Sequence, residues 1–479
     1  MKSSIKAFID EYLSELIEGN AAIFAGAGLS VPAGYVDWRE LIRPLSKELD
    51  LDIDLESDLV TVAQFHVNAN GYNRHKLHKA VIEALSVDNP PTENHRLLAR
   101  LPIRVWWTTN YDKLLETALR EAGKVVDVKS AVPQLATTRP RRDATIYKMH
   151  GDVDRPDEAV ATRDDFERYF RDRGAFITAL AGDLVSKTFL FLGFSFTDPN
   201  LEQVLARVRL TFTSNQRRHF AVFRTRKKAP GETEKAFEHF RNRQALVIED
   251  LKRFNVRVLL VDEYSEITEF LAELVSRYRR RTVFVSGSAA NFEPWGQTAV
   301  LDFLQQLGQR LVASGTRTAT GLGTGVGDAI FTGALREVRR SNGSIEDSLV
   351  LRPFPHTGTA DDLAALWEDY RQEIVSHAGI SLFLFGNRYL EGDVVTAKGV
   401  FREFEIAVAQ GSAVVPVGAT GSASKELADV VLGDPAKFVP SLDEEGINVL
   451  RAISAPTEDL ISLIEPILHL VRKLQEGTP

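Results

Sequence analysis

The stretch 21–30 reads AAIFAGAGLS, in which five apolar residues pass directly into a Gly-Ala-Gly turn. Consecutive apolar positions are typical of a parallel strand covered on both faces, and glycines behind such a strand let the chain turn into a helix. Similar apolar runs alternate with helical segments along the chain. The runs are Ala21–Ala25, Arg104–Thr108, Thr145–Met149, Thr188–Phe194, His219–Phe223, Val256–Val261, Thr282–Ser286, Arg317–Thr320, Ser348–Arg352, Ile380–Phe385 and Ala413–Val417. The sequence therefore predicts the α/β class, with two Rossmann-like doubly wound parallel-sheet domains in tandem.

A domain boundary is predicted near Ser276–Arg281. The chain has 479 residues, enough for about two or three domains at roughly 150 residues each. A helical pattern ends here in Arg279-Arg280-Arg281, and a new apolar strand then runs into Gly287. We interpret the arginine run as positive charge that complements the dipole at a helix C-terminus, with phosphate binding as the alternative. The predicted domains are residues 1–280 and 281–479.

The composition excludes several classes of protein. Lys and Arg total 58 against 66 Asp and Glu, a formal net charge of −8, which disfavours a general nucleic-acid binder because such a protein needs clustered cations. The absence of cysteine excludes disulfides, cysteine–zinc modules, iron–sulfur clusters and a cysteine nucleophile. Met1–Asn20 has the spacing of an amphipathic helix rather than of a signal peptide, and the longest apolar run, Phe189–Phe194, is too short to span a membrane. We therefore expect a cytoplasmic protein without membrane, nucleic-acid or metal binding.

Polar motifs follow three further apolar runs of the first half. Thr108–Asp112 reads TTNYD, Met149–Asp152 reads MHGD, and Gly193–Asp198 reads GFSFTD. Because the carboxyl ends of parallel strands meet at one edge of a sheet, where open α/β sheets bind ligands, we expect these motifs to lie beside the turn at Gly26–Ser30. A third glycine at position 31 would complete the dinucleotide fingerprint, but the chain has Val31 there, which disfavours an ordinary dehydrogenase.

The motifs in this order resemble the sirtuin family. GAGLS at 26–30 corresponds to the family's GAGxS, GYVDWR at 34–39 to its GxPDFR, TTNYD at 108–112 to its TQNxD, HG at 150–151 to its catalytic pair, and GFS at 193–195 to its G[TS]S. Trp38 replaces the family's Phe and Thr109 its Gln, and both changes would reshape a nicotinamide pocket. Sirtuin deacylases also carry four cysteines that hold a structural zinc ion, and their absence here favours NAD hydrolysis over peptide deacylation.

The resemblance implies an NAD site in the first domain, with the catalytic residues His150, Asn110 and Asp112. Histidine titrates near neutral pH, which suits a base for water or a ribose hydroxyl. Asn110 would hydrogen-bond the ribose or the water, and Asp112 would orient this network. The implied NAD-binding residues are Gly26, Ala27, Gly28, Ser30, Asp37, Trp38, Gly193 and Ser195. The structural alternatives are a tight turn for the glycines, a buried structural histidine, and a turn or cap role for Asn110.

The second half contains glycine-rich turns after three predicted strands. These turns are Gly287–Ala290, Gly321–Gly327 and Gly386–Arg388. Backbone amides in such turns can hold phosphate, although no GK[ST] motif makes any of them a P-loop, and a flexible turn is the alternative. Glu403 falls off the apolar stripe of a predicted helix that begins at Gly399, so it could face either the ligand edge or solvent.

This arrangement resembles the SLOG family, a Rossmann-like group of nucleotide sensors and phosphoribohydrolases. The hydrolases carry a PGGxGTxxE motif, whereas the corresponding region here reads Gly386-Asn387-Arg388, with Glu403 well downstream. The broken motif favours ligand binding over catalysis, and arginine and lysine side chains could pair with a pyrophosphate. The implied ligand-binding residues are Gly287, Ser288, Gly323, Thr324, Gly325, Arg371, Gly386, Asn387, Arg388, Lys398 and Glu403.

A sirtuin-like domain followed by a SLOG domain, at this length, resembles the effector family of the Thoeris anti-phage defence system. The resemblance implies that the first domain hydrolyses NAD to nicotinamide and ADP-ribose, without a metal or any cofactor besides the NAD substrate. It also implies that a TIR-domain partner protein makes a cyclic ADP-ribose isomer, which binds the second domain and activates NAD depletion. A homo-oligomer, commonly a tetramer, is implied as well. The alternatives are a sirtuin-type protein deacylase or ADP-ribosyltransferase, and a nucleotide sensor without catalytic activity.

Overall fold

The computed structural model describes residues 1–85, 87–196, 198–211, 216–352 and 360–476. The chain divides into two compact units, Met1–Val275 and Ser276–Pro479. The division lies just ahead of the arginine run, whereas the predicted limit at residue 280 lies within that run.

Within the described residues, the first unit contains a seven-stranded sheet whose strand pairs are all parallel. Its strands are β1 (Ala21–Ala25), β2 (Val105–Thr108), β3 (Val126–Lys129), β4 (Ala144–Lys148), β5 (Thr188–Leu192), β6 (His219–Arg224) and β7 (Val256–Val261). They lie in the order β3-β4-β2-β1-β5-β6-β7. Later strands are added on both sides of β1, so β1 marks the topological switch point, where doubly wound sheets bind their ligands.

Helices accompany this sheet along the chain. They are α1 (Ser3–Ile17), α2 (Ala27–Ser30), α3 (Trp38–Lys47), α4 (Leu59–Ala69), α5 (His75–Leu85), α6 (Glu93–Ala99), α7 (Leu114–Glu121), α8 (Val132–Leu135), α9 (Arg163–Asp172), α10 (Gly174–Ser186), α11 (Pro199–Thr211), α12 (Glu234–Leu251) and α13 (Ser265–Arg280). The apolar face predicted for the first of these is buried, and its Tyr12 hydroxyl donates to the carbonyl of Ala22 at 2.8 Å. The N-terminal helix is therefore fixed to the central strand of the sheet.

The second unit is built in the same way. Its strands are β8 (Thr282–Ser288), β9 (Arg317–Thr320), β10 (Leu349–Leu351), β11 (Ile380–Phe385), β12 (Asn387–Leu390), β13 (Asp393–Thr396) and β14 (Ala413–Pro416). Its helices are α14 (Gln297–Ala313), α15 (Gly327–Arg340), α16 (Ile345–Ser348), α17 (Ala360–Ser376), α18 (Lys398–Ala409), α19 (Ser422–Gly433), α20 (Pro435–Phe438), α21 (Glu444–Ala452) and α22 (Ile464–Glu476). The parallel order β10-β9-β8-β11-β14 places the switch point at β8. The predicted α/β class with two parallel sheets is thus confirmed.

Two features of the sheets were not predicted from the sequence. Strand β3 reads VDVK, and its charged residues Asp127 and Lys129 are buried as an ion pair at 2.9 Å, so no apolar run marks the strand. The antiparallel hairpin β12–β13 turns at Glu391 and Gly392, both with positive φ. Glu-Gly is a weaker turn signal than Asn-Gly or Asp-Gly.

Arg279, the first residue of the arginine run, lies on α13 but forms hydrogen bonds at the C-terminal end of a different helix, α17. The guanidinium of Arg279 donates to the carbonyls of Ser376 at 3.0 Å, Ala378 at 2.7 Å and Gln410 at 2.8 Å. Because α17 ends at Ser376, Arg279 satisfies carbonyl groups that a helix C-terminus leaves without intrahelical partners. In the parts of the chain that are described, no helix is long and apolar enough to cross a membrane.

Candidate active site

Four neighbouring strands of the first sheet end in line at one edge. The register pairs Ala25 of β1 with Thr108 of β2 and Leu192 of β5, and it pairs Thr108 with Lys148 of β4. Each of the four predicted motifs begins at or next to one of these positions. Because paired residues lie side by side across a sheet, the motifs leave it at the same edge, beside the switch point. This edge is the candidate active site.

The glycine turn after β1 packs directly against the end of β5. The amide of Gly28 donates to the carbonyl of Gly193 at 2.9 Å, and the amide of Gly26 donates to Leu192 at 2.9 Å. A Cβ atom on Gly28 would lie 2.9 Å from Gly193 Cα, and one on Gly193, whose φ is +64°, would lie 2.9 Å from Gly28 Cα. These positions require glycine because two backbones touch here. The amides of Gly26 and Gly28 are engaged within the protein, so in this arrangement the predicted NAD binding by these residues could not use their amides.

Asn110 belongs to a chain of hydrogen bonds. Its Nδ2 donates to the carbonyl of Gly26 at 3.0 Å and to Ser30 Oγ at 2.9 Å. Ser30 donates to Asp112 Oδ2 at 2.7 Å, and Asp112 Oδ1 accepts from the amide of Leu114 at 3.0 Å, at the start of α7. The structure thus brings four of the predicted residues together and places the Ser30 hydroxyl between Asp112 and Asn110.

The carboxamide oxygen of Asn110 has no donor within the described protein. The carbonyl of Gly26 can only accept a hydrogen bond, so the Asn110 atom that contacts it must be Nδ2. The other terminal atom of the Asn110 carboxamide is therefore Oδ1. Oδ1 is buried and, among the described residues, lacks a hydrogen-bond partner. Buried acceptors without partners are rare in folded proteins. This oxygen is therefore placed to accept a hydrogen bond from a bound molecule.

His150 is buried on the adjacent loop, where the rings of Phe166 and Tyr169 have centroids 5.3 and 6.3 Å from its own. Its Nε2 lies 2.9 Å from Asp198 Oδ2, and the two side chains are 10% and 8% exposed. Asp198 was included in the sequence-based prediction only as the last residue of the GFSFTD motif, and this pair was missed. The available signal was the position of this acidic residue at the end of the GFSFTD motif, on the edge shared with the histidine loop.

Lys148 forms a buried charge network beneath both loops. Its ammonium donates to the carbonyls of Tyr111 at 3.0 Å and Asp112 at 2.6 Å, and it pairs with Glu116 at 3.0 Å and Asp152 at 2.6 Å. Burial lowers the pKa of Lys148, but the two carboxylates outweigh that effect and leave the pKa raised. One ammonium group therefore connects the TTNYD and MHGD loops. A lysine at the end of an apolar strand was the sequence signal for it.

The remaining predicted NAD-binding residues lie around this edge. Asp37 is exposed and caps α3, where its carboxylate accepts a backbone amide of the first turn at 3.0 Å. Trp38 is half-buried, with its ring centroid 6.4 Å from that of Tyr111. Ala27 begins the short helix α2, and Ser195 is exposed after β5. Position 197 of the GFSFTD motif lies outside the described residues.

In the second unit, the glycine turns pack together at the carboxyl edge of the sheet. A Cβ atom on Gly287, Gly323 or Gly325 would collide with a backbone carbonyl of a neighbouring segment. The carbonyl of Thr324 accepts from the amide of Ala289 at 2.9 Å, which joins the turns after β8 and β9. These glycines are required for close backbone packing, whether or not a phosphate binds beside them.

The turn after β11 joins the same cluster. Ser288 Oγ donates to the carbonyl of Asn387 at 3.0 Å, and Asn387 Oδ1 accepts from the amides of Ala290 at 2.9 Å and Asn291 at 2.8 Å. Gly386 has a φ of +97°, a conformation that favours glycine. The Asn387 side chain therefore stabilises the first glycine turn, in addition to any role in binding a ligand.

Glu403 on α18 is buried rather than exposed to solvent. It accepts from Ser286 Oγ at 2.5 Å and lies 3.5 Å from Arg371 Nε. Burial raises the pKa of Glu403, and the Ser286 hydroxyl and the Arg371 charge offset part of that effect. The structure thus joins two predicted ligand-binding residues. The other two predicted charged residues, Arg388 and Lys398, are exposed on β12 and at the first position of α18.

Both halves of the chain match known families. Residues 104–245 match the SIR2-like domain, and residues 266–474 match the Sir2- and TIR-associating SLOG family. The NAD(+) hydrolase ThsA of Bacillus cereus (strain MSX-D12) is 42% identical over 475 residues, which cover 99% of each chain. The NAD(+) hydrolase ThsA of Acinetobacter baumannii (strain 532279) is 42% identical over 475 residues and 98% of each chain. A protein named defense-associated sirtuin 2, from Bacillus subtilis, is 26% identical over 44% of this chain and 21% of its own. The predicted family resemblance is confirmed by these matches.

Proposed function

The chain belongs to the ThsA family of NAD(+) hydrolases, and from this premise we propose that its first unit cleaves NAD(+) to nicotinamide and ADP-ribose. Four relatives named as NAD(+) hydrolases match nearly the whole chain at 42% identity, which supports the predicted enzyme class. The observation that carries the proposal is the buried Oδ1 of Asn110 at the switch point, which has no partner among the described residues and offers a fixed acceptor to a ribose hydroxyl or to water.

Cleavage of the nicotinamide–ribose bond needs little assistance at the leaving group. The bonding electrons move to the pyridinium nitrogen, so nicotinamide departs neutral and requires no proton from the protein. The ribose is left with positive charge at C1′, and a water molecule must reach that carbon and lose a proton. Asn110 would hold the ribose or the water through Oδ1, and His150 would accept the proton as general base. Ser30 and Asp112 would keep the Asn110 amide in place.

We further propose that the second unit senses a cyclic ADP-ribose isomer made by a TIR-domain partner protein. The matched family is described as associating with Sir2 and TIR, which is consistent with such a pairing. The buried contact between Arg371 and Glu403 lies beside the switch-point strand β8, where a pyrophosphate could pair with the guanidinium. Activation requires that the isomer bind the active arrangement more tightly than the resting one.

The proposed biological outcome is depletion of the cytoplasmic NAD(+) pool during phage defence. We also propose that this effector assembles as a homo-oligomer, with a tetramer as the expected form. The relative named as a defense-associated sirtuin supports the link to defence. The proposed reaction uses NAD(+) as substrate, and side chains of this chain carry out its proton transfer.

The direct test is incubation of the full-length protein with NAD(+), with and without cyclic ADP-ribose isomers, with products separated by chromatography. Equal amounts of nicotinamide and ADP-ribose are expected, and more of both with the activating isomer. ADP-ribose attached to protein would indicate a transferase instead. Arg371→Ala should lose the response to the isomer, whereas Arg402→Ala, which removes an exposed pair with Glu368, should keep it. Absence of nicotinamide release under every condition would overturn the proposal.

A further inference from the structure

Asp198 holds two different groups with its two carboxylate oxygens. Oδ1 accepts from the backbone amides of Asn200 at 2.8 Å and Leu201 at 3.1 Å, and therefore caps the first turn of α11. Oδ2 lies 2.9 Å from Nε2 of His150, which is ion-pair distance, although the direction of the Nε2–H group does not meet hydrogen-bond geometry. The amide groups fix the carboxylate, and the carboxylate in turn faces one nitrogen of the imidazole.

We propose that Asp198 is the positioning residue that makes His150 the base for the attacking water, by keeping the proton on Nε2 and leaving Nδ1 free to accept. This inference rests on the proposed NAD(+) hydrolysis. The nitrogen of a neutral imidazole that faces a carboxylate is the one that carries the proton, so the other nitrogen keeps its lone pair. Asp112 does not serve this purpose, because its oxygens accept from Ser30 and from the amide of Leu114.

The surroundings of the pair strengthen the interaction. The side chains of His150 and Asp198 are almost fully buried, and the rings of Phe166 and Tyr169 flank the imidazole, so water screens the pair only weakly. Burial raises the pKa of Asp198, but the neighbouring imidazole and the amides of Asn200 and Leu201 outweigh that effect, so the pKa of this carboxyl is lowered. A fixed negative charge then stabilises the imidazolium that forms when His150 accepts a proton.

The C1′–N bond of NAD(+) breaks, its electron pair goes to the pyridinium nitrogen, and neutral nicotinamide leaves. The oxygen of water forms a bond to C1′, and one water proton moves to Nδ1 of His150. The negative charge of Asp198, 2.9 Å from Nε2, stabilises the resulting imidazolium, which later releases the extra proton to solvent. The net reaction consumes one water and yields nicotinamide, ADP-ribose and one proton.

This role predicts a difference between two reactions of the same intermediate. Hydrolysis requires a proton to leave the nucleophile, and therefore requires the base. Exchange of nicotinamide for another pyridine, such as 3-acetylpyridine, requires no base, because the attacking pyridine nitrogen carries no proton. The ratio of exchange to hydrolysis therefore reports on the His150–Asp198 pair, whereas a general loss of structure would lower both rates together.

The test compares full-length wild-type protein with Asp198→Asn, in NAD(+) and 3-acetylpyridine, with and without cyclic ADP-ribose. Asparagine is also a good N-cap, so the start of α11 is retained while the charge is removed. Hydrolysis should fall by about 100-fold, in kcat more than in KM, as expected for loss of general base catalysis. Exchange should fall much less, so that the ratio of exchange to hydrolysis rises at least about tenfold. If this variant fails to fold, as judged by thermal unfolding, Asp198→Ser is the replacement.

The matched control is Asp58→Asn, which alters another N-cap aspartate, at the start of α4, and should leave both rates and their ratio unchanged. An unchanged ratio of exchange to hydrolysis in Asp198→Asn would overturn the role of Asp198, whether both rates are retained or both fall together. The hydrolase proposal would still be supported by the activity of the wild-type protein. A wild-type protein that releases no nicotinamide in either reaction would overturn both proposals together.

Discussion

The ammonium nitrogen of Lys148 lies 3.0 Å from a carboxylate oxygen of Glu116, with the lysine side chain fully buried and the glutamate side chain 4% exposed. The same ammonium also pairs with Asp152. Removal of the lysine would leave two carboxylates buried without their cation. Loss of one partner from a buried ion pair is strongly destabilising because the remaining charge is uncompensated.

Lys148→Met should therefore lower the free energy of unfolding of the first unit by about 3–5 kcal/mol. Calorimetric or denaturant unfolding of the full-length protein measures this change. Lys79→Met is the matched control, because its pair with Glu83 is exposed, and it should change stability by less than about 1 kcal/mol. A loss in Lys148→Met no larger than in the control would contradict the structural role of this network.

His150→Ala and Asn110→Ala should each reduce NAD(+) cleavage by about 100-fold or more while the protein remains folded. The first substitution removes the proposed base, and the second removes the free carboxamide oxygen. Nicotinamide release measures activity, and thermal unfolding checks the fold. His75→Ala, which alters an exposed histidine of the same unit, is the control. Wild-type rates in either active-site variant would refute the assignment.

Ser30→Ala should reduce NAD(+) cleavage, but less than Asn110→Ala does. The substitution breaks the connection from Asp112 to Asn110, yet Nδ2 of Asn110 keeps its hydrogen bond to the carbonyl of Gly26. The asparagine is then held at one point instead of two. Steady-state rates of the two variants, measured side by side, provide the test, and an effect equal to or larger than that of Asn110→Ala would contradict this order.

Gly193→Ala should destabilise the first unit more than Gly19→Ala does. Both glycines have positive φ, but a Cβ atom on Gly19 would meet nothing within 4 Å, whereas one on Gly193 would collide with the backbone at Gly28 and Leu29. Gly19→Ala should cost about 1–2 kcal/mol for the left-handed backbone alone, and Gly193→Ala about 1–3 kcal/mol more for the collision. Unfolding measurements on the two variants separate the cost of the left-handed backbone from the cost of the collision. Equal losses of stability would show that the turns after β1 and β5 do not touch.

Stability of the second unit should depend on pH through Glu403. Burial raises the pKa of this carboxyl, so the folded state favours the protonated form. Its contribution to stability is complete below the ordinary pKa of glutamate, about 4.3, and is lost as the pH rises through the raised folded value. Calorimetry at a series of pH values should show wild-type protein losing stability relative to Glu403→Gln across this range. Parallel curves for the two proteins would contradict the prediction.

Much of the sheet architecture could be predicted because buried parallel strands leave a continuous apolar run. The seven-residue run Thr188–Phe194 contains β5, and the turn at Gly26–Ser30 follows β1. Strand β3 could not be predicted in this way, because Asp127 and Lys129 neutralise each other within the fold and interrupt the apolar pattern. Such compensation depends on tertiary structure and leaves no local signal.

The candidate site was predictable in position but only partly in connectivity. Parallel topology placed Asn110 and His150 on adjacent strand ends, as their motifs indicated. The partner of His150 was not predicted, since Asp198 also satisfies the local signal for a helix start. When one residue both caps a helix and contacts a distant side chain, only the helix cap can be recognised from the sequence.

The contacts of Arg279 with Ser376, Ala378 and Gln410 decide where the gene should be divided to produce the C-terminal half separately. A fragment that begins at residue 281, as sequence patterns alone would suggest, discards this arginine and exposes three carbonyl oxygens that it satisfies. A fragment that begins at Ser276 retains them. Protein-production trials of the isolated second unit should therefore start from the earlier cut.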